Sequence, residues 1–235
     1  MKISFCFIFL FLIQSLAHAQ AGEWTWMKGD SLFHQYGHYS HADYGTLQIP
    51  SPTNEPPARY SCGYWNDTAG NLWIYGGVSA PADMWMFNSQ SMMWTWMSGD
   101  SSMSITDSVI AAPKGVYSAS NSPGWLGYGF FTWVTPDNHL WLFGGNYKSI
   151  FYDVNNCLWQ YDPTINQWAW MGVFGPTHYG IKGIGDSTTM PGGREECNAT
   201  WTDSIGNLWF FGGETTVDYY HNHNDMWKYD VHTGI

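Results

Sequence analysis

The sequence predicts an all-β chain built from repeated four-stranded antiparallel units, and three observations predict it. First, one pattern recurs three times at a constant step: WNDTAGNLWIYGG at 65–77, WVTPDNHLWLFGG at 133–145 and WTDSIGNLWFFGG at 201–213. Second, each copy is followed by an aromatic run (DMWMFN at 83–88, CLWQYD at 157–162, DMWKYD at 225–230), and the first two then by Trp-x-Trp-Met at 94–97 and 168–171. Third, the apolar runs are short, rich in Trp, Tyr, Phe and Val, and bounded by Gly, Asn, Asp or Pro, with no helical period. A unit of this kind cannot bury its apolar face alone, so it stacks on neighbours of its own kind.

The elements follow in order. In the first copy, strand a is expected at about 59–66, b at 71–76, c at 84–88 and d at 93–97. The a–b connection reads D-x-x-G-N in copies one and three, which is hairpin chemistry. The second unit spans about 126–171 and the third about 194–230, the third lacking its strand d. Strand a carries Trp65, Trp133 and Trp201; strand b carries Trp73, Trp141 and Trp209 and ends in Gly76-Gly77, Gly144-Gly145 and Gly212-Gly213. Strand c carries Trp85, Trp159 and Trp227, and strand d carries Trp94 and Trp168. Trp24, Trp26, Trp96 and Trp170 fall at strand-d positions, so fifteen of the sixteen tryptophans belong to the pattern and only Trp125 does not. Packing between sheets therefore accounts for them more simply than sugar stacking does.

Four antiparallel strands repeated radially describe a β-propeller blade. A hydrophobic strand ending in Gly-Gly, then an aromatic on strand c and a Trp on strand d, resembles the kelch family. Its secreted bacterial multi-kelch members share the Trp-Thr-Trp-Met, long-loop variant. The family's Arg before strand a also has counterparts, Arg59 in PPAR and Arg194 in PGGR; copy two departs, with Gly124-Trp125-Leu126 and no Arg. The resemblance implies a kelch-type propeller, with the fold of the galactose oxidase central domain. These units exceed the usual kelch length of about 50 residues, the excess lying in the d–a connections, 28–58 and 98–125. Strand order puts the d–a and b–c loops (78–82, 146–156, 214–224) at one end. That end is the expected binding face, because loops on a rigid scaffold carry most binding residues.

Residues 1–19 read as a secretory signal peptide: Lys2, an apolar run over 3–13, then Ala17-His18-Ala19. Cleavage after Ala19 is expected, and Ala21 also satisfies the small-residue rule. Loss of Lys2 takes the net charge from −11 to −12. Secretion or display at the cell surface follows, with no membrane span in the mature chain. WTWM at 24–27 reads as a strand d without a, b or c before it. The Trp that would open the third copy's strand d falls at 236, one past Ile235. Three units are fewer than the 4–8 blades of typical rings. The chain is thus expected to be a fragment of a larger ring, with a homodimer of six blades as the alternative.

The acidic charge disfavours nucleic acid and anionic membranes as partners. Cys62, Cys157 and Cys197 remain after cleavage, an odd number at unrepeated positions, so buried thiols are expected in place of a disulfide framework. Asp67, Asp203, Asp83 and Asp225 sit at repeat positions and are expected to accept bonds from turn amides. His34, His38 and His41 in one loop, and His221 and His223 in another, are the candidate metal ligands; their spacing matches no closed site. No Gly-x-Ser-x-Gly elbow, phosphate loop or D-x-D-x-D-G calcium loop is present. The expected function is a binding scaffold for protein or glycan, with no cofactor and no catalytic residue assigned. The alternative is an extracellular enzyme, either a copper oxidase of the galactose-oxidase type or a hydrolase.

Overall fold

Alternation sets the first sheet: in β1 (Gly63–Asn66) Gly63 and Trp65 are buried while Tyr64 and Asn66 are exposed, as a strand with one covered face requires. The computed structural model describes residues 23–31, 42–102, 109–146, 155–172, 175–196, 199–215 and 221–234. It divides into two units, Met1–Phe33 and His34–Ile235. In the first, residues 23–31 carry no strand, and Trp24 and Trp26 are 102% and 69% exposed. The strand d expected at 24–27 is not formed: these residues carry no strand.

The second unit is all-β among the described residues. β1 pairs with β2 (Leu72–Tyr75), β2 with β3 (Asp83–Asn88) and β3 with β4 (Met93–Gly99), all antiparallel. The second sheet contains β5 (Tyr117–Ser118), β6 (Tyr128–Val134), β7 (Leu140–Asn146), β8 (Leu158–Asp162) and β9 (Gln167–Gly172). Their order is β5-β9-β8-β7-β6. The third sheet takes β10 (Thr200–Thr202) and β11 (Leu208–Phe211). A separate pair, β12 (Glu214–Thr215) with β13 (His221–Asn222), intervenes before β14 (Met226–Tyr229) completes the order β10-β11-β14. The register repeats with the sequence: Trp65 faces Trp73, Trp133 faces Trp141 and Trp201 faces Trp209. A bulge follows the first paired residues of strand c in both complete sheets, at Met84/Trp85 and Leu158/Trp159. No described helix is long and apolar enough to cross a membrane.

Strand a starts later than expected, at Gly63 and not at 59, because Ser61 adopts a left-handed φ of 51° that breaks the extended run. The a–b turns behave as read. Asp67 accepts from the amides of Ala69 and Asn71 and from the Trp73 indole; Asp203 does the same for Ile205, Asn207 and Trp209. Copy two substitutes Thr135, whose hydroxyl takes the Trp141 indole. Those bonds hold Asp203 at about 2, below its ordinary 3.8, and overcome burial to hold Asp67 low as well. A carboxylate with a depressed folded pKa contributes stability above its unfolded value and loses it as pH falls through the folded one. The melting temperature is therefore expected to fall between about pH 4 and pH 2. Asp67→Asn with Asp203→Asn should lower it at neutral pH and flatten that acid limb; an unchanged limb would show that these turns do not set acid stability.

The sheets meet through two repeated devices. The Trp65 indole donates to the Trp141 carbonyl at 2.8 Å, and one repeat further on the Trp133 indole donates to the Trp209 carbonyl at 2.8 Å. The Gly-Gly pairs form the second: the Gly77 amide donates to the Leu126 carbonyl and the Gly145 amide to the Arg194 carbonyl, both at 3.1 Å. Gly144 lies at φ 73°, and a Cβ there would sit 2.5 Å from the Arg194 carbonyl oxygen, so only glycine lets the next sheet's chain this close. One apolar cluster joins sheets one and two, and a second joins sheets two and three. The strand-a tryptophans, all expected to pack between sheets, differ at the third: Trp65 and Trp133 are 2% and 5% exposed, Trp201 42%. Its register is the same; among the described residues no further sheet covers its face.

The long d–a connections wrap the outer edge of the sheet they lead into. Ser51 bridges Trp94 on β4, and β5 pairs with β9. Asn54 and Asn121, both buried, each donate to a strand-d carbonyl, of Trp94 and of Trp168. Their common setting, Ser-x-Ser/Thr-Asn at 51–54 and 118–121, is an ST-turn in which Ser51 and Ser118 cap the amides of Thr53 and Ser120. These loops are therefore partly scaffold, not wholly a variable face.

Candidate functional site

The charged groups at the repeat positions are engaged with one another inside the scaffold. Arg59 grips Asp83 through two bonds, 2.6 and 2.9 Å, and also donates to the Gly76 carbonyl. The Trp85 indole and the Tyr44 hydroxyl donate to the same carboxylate. Arg194 repeats the arrangement on Asp225 and the Gly212 carbonyl, joined by Trp227 and Tyr179. Asp83 and Asp225 thus accept from guanidinium, indole and phenol, and not from turn amides as expected; the carboxylates at the head of strand c lie within reach of the arginine that precedes strand a. Burial would raise the Asp225 pKa, but bonds from Arg194 and Trp227 outweigh it and hold the carboxyl below its usual range. Burial and the neighbouring Asp83 push the Tyr44 phenol well up. Neither tyrosine was singled out from sequence; the signal available was their equal spacing from the arginines in both copies (44 to 59, 179 to 194).

Copy two loses both members of this pair together. Leu126, whose carbonyl receives Gly77 as that of Arg194 receives Gly145, stands in the arginine's place, and Cys157 stands in the aspartate's. Both are buried in the first apolar cluster. The Trp159 indole, deprived of a carboxylate, is buried without a hydrogen-bond partner. Burial pushes the Cys157 thiol up to about 12, so it is protonated and unreactive at neutral pH. Cys62 is also a free thiol; Cys197 lies outside the described residues.

His34, His38 and His41 lie outside the described residues as well. His221 is exposed on β13, and His223 follows it, half-buried, its pKa lowered by burial and by Arg194. Among the described residues no group of three or more His, Cys, Asp or Glu side chains is placed to hold a metal ion.

A cavity of about 260 Å³ lies between sheets two and three. Its walls are Trp133 and Phe143 from sheet two and Phe210, Trp227 and Tyr229 from sheet three, with Asp186 and Thr189 of a d–a connection and Lys114 also lining it. Such a lining takes an apolar or aromatic group and orients it by few polar contacts. None of the residues singled out as metal candidates lines it; of the repeat tryptophans it uses Trp133, Trp170 and Trp227.

No family model matches the sequence, and no curated protein matches it. Among solved structures the chain is similar to one titled "Structure of YjhT", at 17% identity and a TM-score of 0.41. The match covers 72% of this chain and 37% of that one, so the chain spans little more than a third of its length.

Proposed function

We propose that this chain is a segment of an exported kelch-type β-propeller that acts as a binding scaffold for a protein or glycan at or outside the cell surface. The observation that supports it is the use made of the repeat: register, indole-to-carbonyl contacts and Gly-Gly approaches recur at the same step as the sequence motif. The arginines and aspartates that would otherwise suggest chemistry are bonded to each other. A scaffold so constructed leaves recognition to segments that differ between copies, above all the b–c connections at 146–156 and 214–224. Export follows from the amino-terminal signal, and the acidic charge disfavours nucleic acid.

The test is binding of the secreted chain to a panel of glycans and to surface proteins of the producing cell. Replacing 147–154 or 216–220 by Gly-Ser segments of equal length should abolish binding, with an unchanged melting temperature as the check that the fold persists. Binding that survives both replacements, or galactose oxidation by the copper-loaded chain, overturns the reading.

A further inference from the structure

A smaller cavity of about 110 Å³ opens between the two complete sheets, where the d–a connection leading into sheet two passes their junction. Trp168 and Tyr75 supply its apolar surface, their rings meeting edge to face at 5.3 Å. Ser120, Ser122 and Gln167 supply polar groups, and Asn121 and Asn166 also line it. The frame is held by its own bonds. Asn121 is buried, its oxygen accepts from the Ala112 amide, and its nitrogen donates to the carbonyls of Val116 and Trp168. Asn166 donates across the junction to the Met97 carbonyl at 2.7 Å. The three polar side chains keep bonding capacity. Ser120 and Ser118 share one hydroxyl-to-hydroxyl bond at 2.9 Å, which leaves one of their two protons unused. The Ser122 oxygen accepts from the Gly124 amide, a bond that does not use its proton. The Gln167 carboxamide makes no hydrogen bond among the described residues. No lining residue carries a charge. This neutral set belongs to copy two alone: the residue after the bracing Asn121 is Ser122, whereas Asn54 is followed by Glu55 in copy one. The brace recurs and its neighbour changes, as a recognition position on a fixed scaffold does.

We infer that this cleft binds the hydroxylated edge of a neutral sugar residue. Its volume is that of roughly four waters, enough for a hydroxymethyl group and a neighbouring ring hydroxyl and too little for an oligosaccharide. Sugar hydroxyls both donate and accept, and so do Ser120, Ser122 and Gln167. The C–H edge of the ring meets Trp168 and Tyr75, and the few polar groups set its orientation. An anionic sugar is disfavoured, because no lysine or arginine lines the cavity to offset the desolvation of a carboxylate, and the chain itself is acidic. The bonds of Asn121 and Asn166 are in place before any ligand arrives, so binding has little left to order. No described residue of the b–c connections at 146–156 and 214–224 lines the cleft. The inference therefore adds a glycan contact to the proposed function and does not depend on those loops.

The secreted chain is titrated with methyl β-galactoside, methyl α-glucoside, glucuronate and glycerol, and binding is followed by saturation-transfer NMR. At least one hexoside is expected to bind at millimolar concentration, with glucuronate and glycerol each weaker by roughly tenfold or more. Ser120→Phe places a ring in the cavity from an exposed position and should remove hexoside binding. Gln167→Leu keeps the bulk and deletes the amide, and should weaken binding roughly tenfold. Gln167 is half-buried, and an unchanged melting temperature of each variant is the check that the fold persists. The inference is overturned if neither hexoside binds, if glycerol or glucuronate binds as tightly as the hexosides, or if Ser120→Phe leaves binding intact. Replacing 147–154 or 216–220 should leave hexoside binding unchanged while it abolishes the binding assigned to those loops, so this inference and the proposed function fail separately.

Discussion

Asp83→Ala is expected to destabilise the chain by about 3–5 kcal/mol, the usual cost of removing one partner of a buried ion pair. The side chains of Arg59 and Asp83 are 5% and 0% exposed, so the mutation leaves a buried guanidinium with only the carbonyls of Pro57 and Gly76 as acceptors. The Trp85 indole and the Tyr44 hydroxyl lose their shared acceptor as well. The chain carries its own rescue. Copy two has Leu126 and Cys157 in the corresponding places and forms a complete sheet. Arg59→Leu combined with Asp83→Cys should therefore recover most of the loss, because no charge is left to desolvate. A residue of about 1–2 kcal/mol is expected to persist from the unpartnered indole and phenol. Urea unfolding of the single and double variants, compared at a common m-value, measures both quantities. A double variant no more stable than Asp83→Ala would show that the ion pair does not behave as an exchangeable unit.

Trp168→Ala is expected to cost about 3–5 kcal/mol, as large-to-small changes of buried aromatic residues do. The ring fills the space between sheets one and two and touches aromatic residues of both, so its removal opens a cavity that surrounding strands cannot close. Trp94 holds the same place in the repeat, on β4, yet is only half-buried, against Trp85 and Phe87. Trp94→Ala should cost less, about 1–2 kcal/mol by the apolar area it covers. The pair isolates the contribution of the sheet junction, because residue type and strand position are held constant. Equal costs would mean that Trp168 stabilises its own sheet and not the contact between sheets.

Much of the fold was legible because each observation appeared three times. A single Trp, Gly-Gly or Asp would have meant little; recurring at one constant step, they specified strands, turns and close approaches. The Asp67 and Asp203 turns are local, with every partner within six residues, and local hydrogen bonding is what turn chemistry encodes. The Arg–Asp pairs were half legible. Arg59 and Arg194 stood out by resemblance and Asp83 and Asp225 by repetition, but their union spans 24 and 31 residues, a distance at which spacing alone names no partner. The brace by Asn54 and Asn121 was missed for a different reason: their separation falls one short of the repeat step, and they lie in connections that otherwise look irregular.

By itself the sequence determined the elements: which runs are strands, where they turn, that they pair in register, and that units of this kind pack on their neighbours. Strand periodicity and turn chemistry depend on residues a few positions apart, and the repeat multiplied that local signal. Only the tertiary structure decided which copies of an identical motif are buried. Trp65, Trp133 and Trp201 share a motif and a register, yet the first two lie under a neighbouring sheet and the third, among the described residues, does not. Burial is a property of what covers a residue, and the covering sheet comes from a part of the chain whose contribution no local pattern states.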